Sequence, residues 1–314
     1  MKRIALIAST TLLLMISEAS AQQLPQFTQY MLNTYMVNPA VGGTFNYYQI
    51  RYNSRFQWVG LENYPQTNSI SAYGPHGSKD MGFGGTFYHD VTGPIGRTGG
   101  LFSYSYNMQV TQNGLRVSGG VSLGFQMFRA DGSKFVFGDN YNHNIDDPAI
   151  YNSTKSIFTP DASIGFMVYD TRFFAGISTH QLLGQKLYQS ELSRIIEEEE
   201  QTYYGVNRLK QHFMLMGGMM LSLNRDFDIE PSILVKYMIS SPLQVDLNAK
   251  VTYRKEFWGG ISLRWMDGIS LLFGYNYQDR YLFGYSFDYS LTQLRPHSAG
   301  SHEIMIGYKF DKLK

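Results

Sequence analysis

Ten consecutive residues, Val245 to Arg254, alternate without a break between two kinds of side chain. Val245, Leu247, Ala249, Val251 and Tyr253 are apolar, whereas Asp246, Asn248, Lys250, Thr252 and Arg254 are polar or charged. A period of two places these sets on opposite faces of an extended strand. A face charged along its whole length needs water, and an apolar face needs lipid or a core. A strand crossing a membrane as part of a closed barrel meets both conditions at once, lipid outside and a wet lumen inside. A water-soluble sandwich also alternates, so the choice needs further observations.

The N-terminus supplies one. Lys2 and Arg3 precede the apolar run Ile4 to Ile16, and Ala19-Ser20-Ala21 forms a small-x-small box before Gln22. This is the pattern of a cleaved secretory signal, and the run is shorter than the roughly 20 residues of a membrane helix. Residues 1–21 are therefore expected to be a signal peptide. Beyond it the longest nearly uncharged apolar run is Phe213 to Leu223, about half the length a spanning helix needs. A chain of this kind resides in a membrane only as a closed barrel, the other structure that satisfies its backbone in lipid.

Composition agrees. Tyr and Phe number 24 and 21 and Gly 31, a mixture that favours strands and tight turns over helices. The net charge of +1 gives no basic excess for nucleic acid, so no nucleic-acid partner is expected. The absence of cysteine excludes disulfides, thiolate metal sites, a catalytic thiol and a lipidated cysteine anchor.

Alternating segments fall near 47–59, 67–74, 82–89, 99–110, 114–129, 161–169, 172–181, 210–223, 228–238, 244–253, 257–266, 269–278, 283–291 and 302–310. The expected fold is all-β, an antiparallel outer-membrane β-barrel of about 14 strands over residues 47–314. Residues 22–46 form an N-terminal periplasmic or plug segment packed in or under it, since Gln26 to Gly43 is too apolar for a free tail. With both termini periplasmic, even-numbered connections should be short. Thr111-Gln112-Asn113, Asp170-Thr171, Asn224 to Phe227, Arg254 to Glu256 and Asp279 to Leu282 fit, while the long Ala130–Pro160 and Leu182–Leu209 connections fall on outward positions. Tyr47, Tyr48, Trp58, Phe257, Trp258, Tyr281 and Phe283 lie near strand ends, as interfacial girdles require.

No catalytic or phosphate-binding spacing is present: no His-Glu-x-x-His, no Gly-x-Ser-x-Gly, no Gly-rich nucleotide loop. The pairs Gly42-Gly43, Gly84-Gly85, Gly99-Gly100 and Gly119-Gly120 read as bends or crowded barrel positions. His180 and His212 approach across one outer loop, but two imidazoles without a carboxylate make no metal cage. The oxygen-rich stretch Gly138 to Asp147 reads as turn chemistry in preference to a calcium loop, because its Gly and Glu spacing is wrong. No metal, cofactor or catalytic residue is expected. Glu197, Glu198, Glu199 and Glu200 form an acidic stretch in a long outer connection, a solvated turn or a docking loop for a partner.

An ordered set of fragments adds a family. Pro25-Gln26-Phe27-Thr28-Gln29-Tyr30-Met31, Asn38-Pro39-Ala40-Val41-Gly42-Gly43, Arg55-Phe56-Gln57-Trp58-Val59-Gly60 and Pro65-Gln66-Thr67 come first. Gln211-His212, Glu230-Pro231-Ser232-Ile233-Leu234-Val235-Lys236, Gly284-Tyr285-Ser286-Phe287-Asp288 and Ser301-His302-Glu303-Ile304 follow. Together they resemble the PorP/SprF family of type IX secretion system outer-membrane proteins across the chain that follows the signal. Asp311-Lys312-Leu313-Lys314 after Phe310 departs from the usual aromatic terminus of such barrels.

The resemblance implies a non-enzymatic outer-membrane component that supports export or surface anchoring of adhesins, gliding adhesins with type B C-terminal signals among them. It also implies periplasmic partners tied to the secretion machinery or peptidoglycan. Asn38, Pro39, Arg55, Gln57 and Trp58 are then expected to bind an N-terminal plug to the first strand. The rival functions are a channel or transporter for small or hydrophobic solutes, and a lipid hydrolase, for which no Ser/His/Asp arrangement stands out.

Overall fold

The computed structural model describes residues 24–76, 78–131, 134, 154–184, 186–188, 207–239 and 241–310. Fourteen antiparallel strands form a closed barrel. They are β1 (Tyr48–Phe56), β2 (Gln66–His76), β3 (Ser78–Thr92), β4 (Ile95–Gln109), β5 (Arg116–Asp131), β6 (Thr154–Tyr169) and β7 (Phe173–His180). The second half comprises β8 (His212–Met219), β9 (Phe227–Met238), β10 (Gln244–Tyr253), β11 (Phe257–Arg264), β12 (Gly268–Tyr277), β13 (Tyr281–Ser290) and β14 (Ser301–Phe310). Leu221–Ser222 continues β8 against β9. Each strand pairs with its neighbours in sequence, and β1 pairs with β14 from Tyr48↔Phe310 to Phe56↔His302, which seals the ring. Closure leaves no edge, the condition for placing a sheet in lipid.

Burial is inverted relative to a soluble protein. Ser122 and Gln126 of β5 are buried, while Leu123 between them is 68% exposed. Phe102, Phe158, Ile261 and Phe273 likewise point outward, whereas Ser103, Asn107, Asp246, Arg264 and Glu303 are buried inside. Alternation thus sorts apolar groups to the lipid side and polar groups to the lumen.

At the end where β1 begins and β14 ends, outward rings touch in sequence around half the circumference. Tyr48–Phe310, Phe310–Tyr308, Tyr308–Tyr281, Tyr281–Tyr277, Tyr277–Tyr275 and Tyr275–Phe257 lie 4.7 to 6.3 Å apart between ring centroids. Phe227–Tyr253 continues the belt at 4.9 Å. Trp258 does not belong to it: it is 4% exposed and turned into the lumen, against the places where Gly274 and Gly284 would carry a Cβ. Period two forces this, because Phe257 already occupies the outward position.

Strands β3 to β6 are 15 or 16 residues long, against 8 to 12 for β7 to β14. The sequence reading ended them early. Thr154–Pro160 was expected in a loop, yet it pairs with Phe125–Asp131 in unbroken register. Its Thr, Lys, Ser and Pro side chains look like a turn, and only the partner strand reveals the ladder. The long connections 132–153 and 181–211 both join strands at their outer ends, but the connections 93–94 and 265–267, which do so too, are as short as the periplasmic ones. Two periplasmic hairpins close through consecutive left-handed residues, Arg254-Lys255 and Gln278-Asp279, with φ between 50° and 60°. This double positive φ is the signature of the primed two-residue turn that matches strand twist.

Candidate functional site: a clamp inside the lumen

The lumen is occupied by the chain's own residues 24–47. Their short 3-10 turns, Tyr30–Leu32, Thr34–Met36 and Pro39–Val41, have a compact backbone that fits within the ring. The segment enters beside the outer rim, where the Gln26 amide donates to Gln244 Oε1 at 3.1 Å. It leaves at the periplasmic end, where Lys309 Nζ lies 5.2 Å from the Tyr47 ring centroid.

The lower half packs flush against β3 to β7 because those strands offer glycines there. A Cβ on Gly120 would lie 2.5 Å from Ala40 N, and one on Gly82 2.2 Å from Gly43 N. Asn38 sits between Gly165 and Gly176. Its Oδ1 accepts from Ala40 N at 2.9 Å, capping the turn that Pro39 opens, and its Nδ2 donates to Phe166 O at 3.0 Å and Ile177 O at 3.2 Å. One side chain therefore satisfies both the segment and two wall strands. Ser118 Oγ donates to Ala40 O and Ser178 Oγ to Val37 O, both at 2.6 Å, and His180 Nε2 meets Val37 O at 2.7 Å. Tyr35 stacks on Tyr73 with centroids 4.3 Å apart and shares a hydrogen bond with Ser103.

The upper half is held by charge, from the opposite wall. Thr28 Oγ1 donates to Asp288 Oδ2 at 2.7 Å and accepts from Arg55 Nη1 at 2.8 Å and Arg264 Nη2 at 3.3 Å. One donor and two lone pairs exhaust a hydroxyl. The Glu303 carboxylate accepts from the backbone N–H of Thr28 at 2.7 Å and of Gln29 at 3.2 Å, and from Asn53 Nδ2 at 3.2 Å. Arg55 bridges Asp288 at 2.7 Å and Glu303 at 3.2 Å. Arg264 pairs with Asp246 at 3.3 Å and Asp267 at 3.1 Å, and Lys236 with Asp246 at 3.1 Å. The cations Lys236, Arg264 and Arg55 thus alternate with the carboxylates of Asp246, Asp288 and Glu303 around Thr28. Buried charges persist only when paired and hydrogen-bonded in this way.

Of the residues singled out from sequence, Asn38 and Pro39 lie in the lower half and Arg55 in the clamp. Gln57 and Trp58 sit at the outer rim, where Gln57 N donates to Pro65 O at 2.9 Å and Trp58 N to Ser301 Oγ at 3.0 Å. Glu197 to Glu200 and the Gly138–Asp147 stretch lie outside the described residues. His180 and His212 are register partners on β7 and β8. Among the described residues no group of three or more His, Cys, Asp or Glu is placed to hold a metal ion.

Sequence reasoning passed over Thr28, Asp246, Arg264, Asp288 and Glu303 as site residues. The signal of the four charged ones was charge on the inward face of a strand, as in Val245 to Arg254, and five clamp residues, Thr28, Arg55, Lys236, Asp288 and Glu303, fall within the fragments that carry the family resemblance.

A closed barrel with an apolar exterior, an aromatic belt and a charged, filled interior is an integral outer-membrane protein. The chain belongs to the family described as type IX secretion system membrane protein PorP/SprF, which matches residues 19–308. Comparison with curated proteins finds no match. Among solved structures the chain is similar to the CymD monoaromatic hydrocarbon channel, at 12% identity over 91% of this chain and 92% of that one, with a TM-score of 0.50. The Ralstonia pickettii toluene transporter TbuX gives 11% identity, coverage of 89% and 93%, and a TM-score of 0.49. A Pseudomonas aeruginosa FadL homologue gives 10% identity, coverage of 93% and 96%, and a TM-score of 0.48. At such identities the likeness concerns the barrel fold alone.

Proposed function

We propose that this barrel supports the export or surface anchoring of adhesins by the type IX system through protein contacts, without catalysis. The family match along nearly the whole chain is the observation that carries the reading. The segment inside the lumen favours it over a solute channel: residues 24–47 run through the interior and are fixed to both walls. A partner then meets the protein on its outer surface, at the outer ends of β3 to β6 and in the connections between β5 and β6 and between β7 and β8, the second of which contains Glu197 to Glu200 in sequence. The periplasmic hairpins at Arg254-Lys255 and Gln278-Asp279 present charge to the machinery on the other side.

The test is an affinity pull-down from solubilised outer membranes, with mass spectrometry of the recovered proteins and planar-bilayer recording of the purified barrel. Co-recovery of one large exported adhesin with type IX components, and no steady conductance, is the expected result. Recovery of the barrel alone, together with open-channel conductance, overturns the reading in favour of a transporter.

A further inference from the structure

The clamp and the glycine tracks leave one part of the lumen unfilled. Between the segment and the wall, toward the outer mouth, lies a cleft open at one end. Its walls are largely apolar: Phe27, Tyr30, Met36, Leu101, Met214 and Leu234 among them. A second groove at the rim, lined by His212, Tyr237, Met238 and Pro242, joins it through Leu24, Pro25, Met214 and Lys236, so the cavity opens outward.

Two polar groups matter here: Lys236 lines both the cavity and the groove, and His212 lines the groove. His212 is 7% exposed. Its Nδ1 meets Lys210 O at 2.9 Å and therefore carries the proton, which leaves Nε2 as an acceptor, and Nε2 has no hydrogen-bond partner among the described residues. An acceptor left unmet in a buried place costs free energy that a donor would recover. Lys236 lies on the same inward face: β8 and β9 pair His212 with Met238 and Met214 with Lys236, which sets the two side chains diagonally across adjacent strands. Lys236 gives one contact to Asp246, and an ammonium carries three N–H groups.

We propose that this cleft binds a small amphipath with a single hydroxyl head and an apolar body, of alkylphenol or medium-chain alcohol size. The hydroxyl donates to His212 Nε2 and accepts from Lys236 Nζ. A hydroxyl can do both with one oxygen, whereas a hydrocarbon does neither. The apolar body fills the cavity between the segment and β4, β8 and β9, as ligand sites with few polar groups on apolar walls do. The site is independent of adhesin binding, and either can fail without the other.

The experiment is titration calorimetry of the intact barrel held in amphipol, with 4-hexylphenol as probe and hexylbenzene as its hydroxyl-free counterpart. Leu101→Phe and Leu234→Trp fill the cavity, and His212→Phe removes the acceptor while keeping a ring. Folding of each is checked by heat-dependent electrophoretic mobility. Saturable binding of one 4-hexylphenol per barrel is expected, lost or weakened at least tenfold (about 1.4 kcal/mol) in a folded cavity-filling variant. In His212→Phe it should weaken about three- to tenfold, while hexylbenzene is unaffected. Non-saturating uptake by the unmodified protein overturns the proposal, as does unchanged affinity in Leu101→Phe or His212→Phe. Should Leu234→Trp fail to fold, the two milder variants decide.

Discussion

Thr28→Val keeps the shape of the side chain and deletes the hydroxyl at the node of the clamp. Three hydrogen bonds end there, each to a charged group: Asp288 at 2.7 Å, Arg55 at 2.8 Å and Arg264 at 3.3 Å. A hydrogen bond to a charge is worth about 1.5–3 kcal/mol. The full sum is not lost, because Arg55 keeps Asp288 and Glu303 and Arg264 keeps Asp246 and Asp267. The third bond is also long. Two bonds then count, each discounted to about 1–2 kcal/mol for the partners the ions keep, so the upper half of the segment should lose about 2–4 kcal/mol of docking free energy. At about 1.4 kcal/mol per decade, its undocked population rises by about 30- to 700-fold. Hydrogen exchange in detergent reads this at Leu32 and Asn33, whose amides donate to Gln29 O and Tyr30 O at 3.0 Å. Their exchange should accelerate by that factor while the amides of β10 to β12 stay protected, and Thr28→Ser should behave as the parent. Unchanged protection at Leu32 and Asn33 in the valine variant would refute the view that the clamp holds the segment.

Three other outcomes follow from the same geometry. Arg55→Leu leaves Asp288 and Glu303 without their shared cation, so the barrel should lose about 3–5 kcal/mol, seen as a lower temperature for its heat-dependent mobility shift; a variant that melts with the parent would show the charges to be solvated. Gly120→Ala places a methyl 2.5 Å from Ala40 N and should destabilise by about 1–3 kcal/mol, whereas at Gly85 the nearest atom is 3.7 Å away and alanine should be tolerated; equal melting of the two variants would contradict the flush fit. Trp258 is turned inward, so Trp258→Phe should leave the quenching of tryptophan fluorescence by brominated lipids nearly unchanged; a large drop in quenching would place it on the lipid face.

The strand set was legible because its cause is local. Two environments on two faces impose period two, and a strand such as Val245–Tyr253 shows it without reference to any neighbour. The ends of β3 to β6 were not, because Thr154–Pro160 is held by its partner strand and its own side chains resemble a turn. Phe257 and Trp258 show the same limit in miniature: adjacent aromatics must face opposite ways, but which one meets lipid depends on register. The clamp was legible only in pieces. Arg55 is separated from Asp288 and Glu303 by more than two hundred residues, and the ring brings them together when β1 pairs with β14. Thr28 carries no signal of its own, since a threonine ahead of a short turn is ordinary until three charges converge on it.

The seam between β1 and β14 gains a different meaning from the path of the segment. Leu24 lies near the outer rim and Tyr47 at the opposite opening, so the chain passes down the inside of the ring and then turns back up to become part of its wall. A finished ring could receive that segment only by having its free end drawn the full depth of the lumen, past Arg55, Glu303 and Trp258. Thr28 and Gln29 bind to residues on both sides of the seam, Arg55 on β1 and Asp288 and Glu303 on β13 and β14. The polypeptide is wrapped around its own beginning in the manner of a cord knotted over its leading end, and drawing the knot tight is the same act as closing the wall.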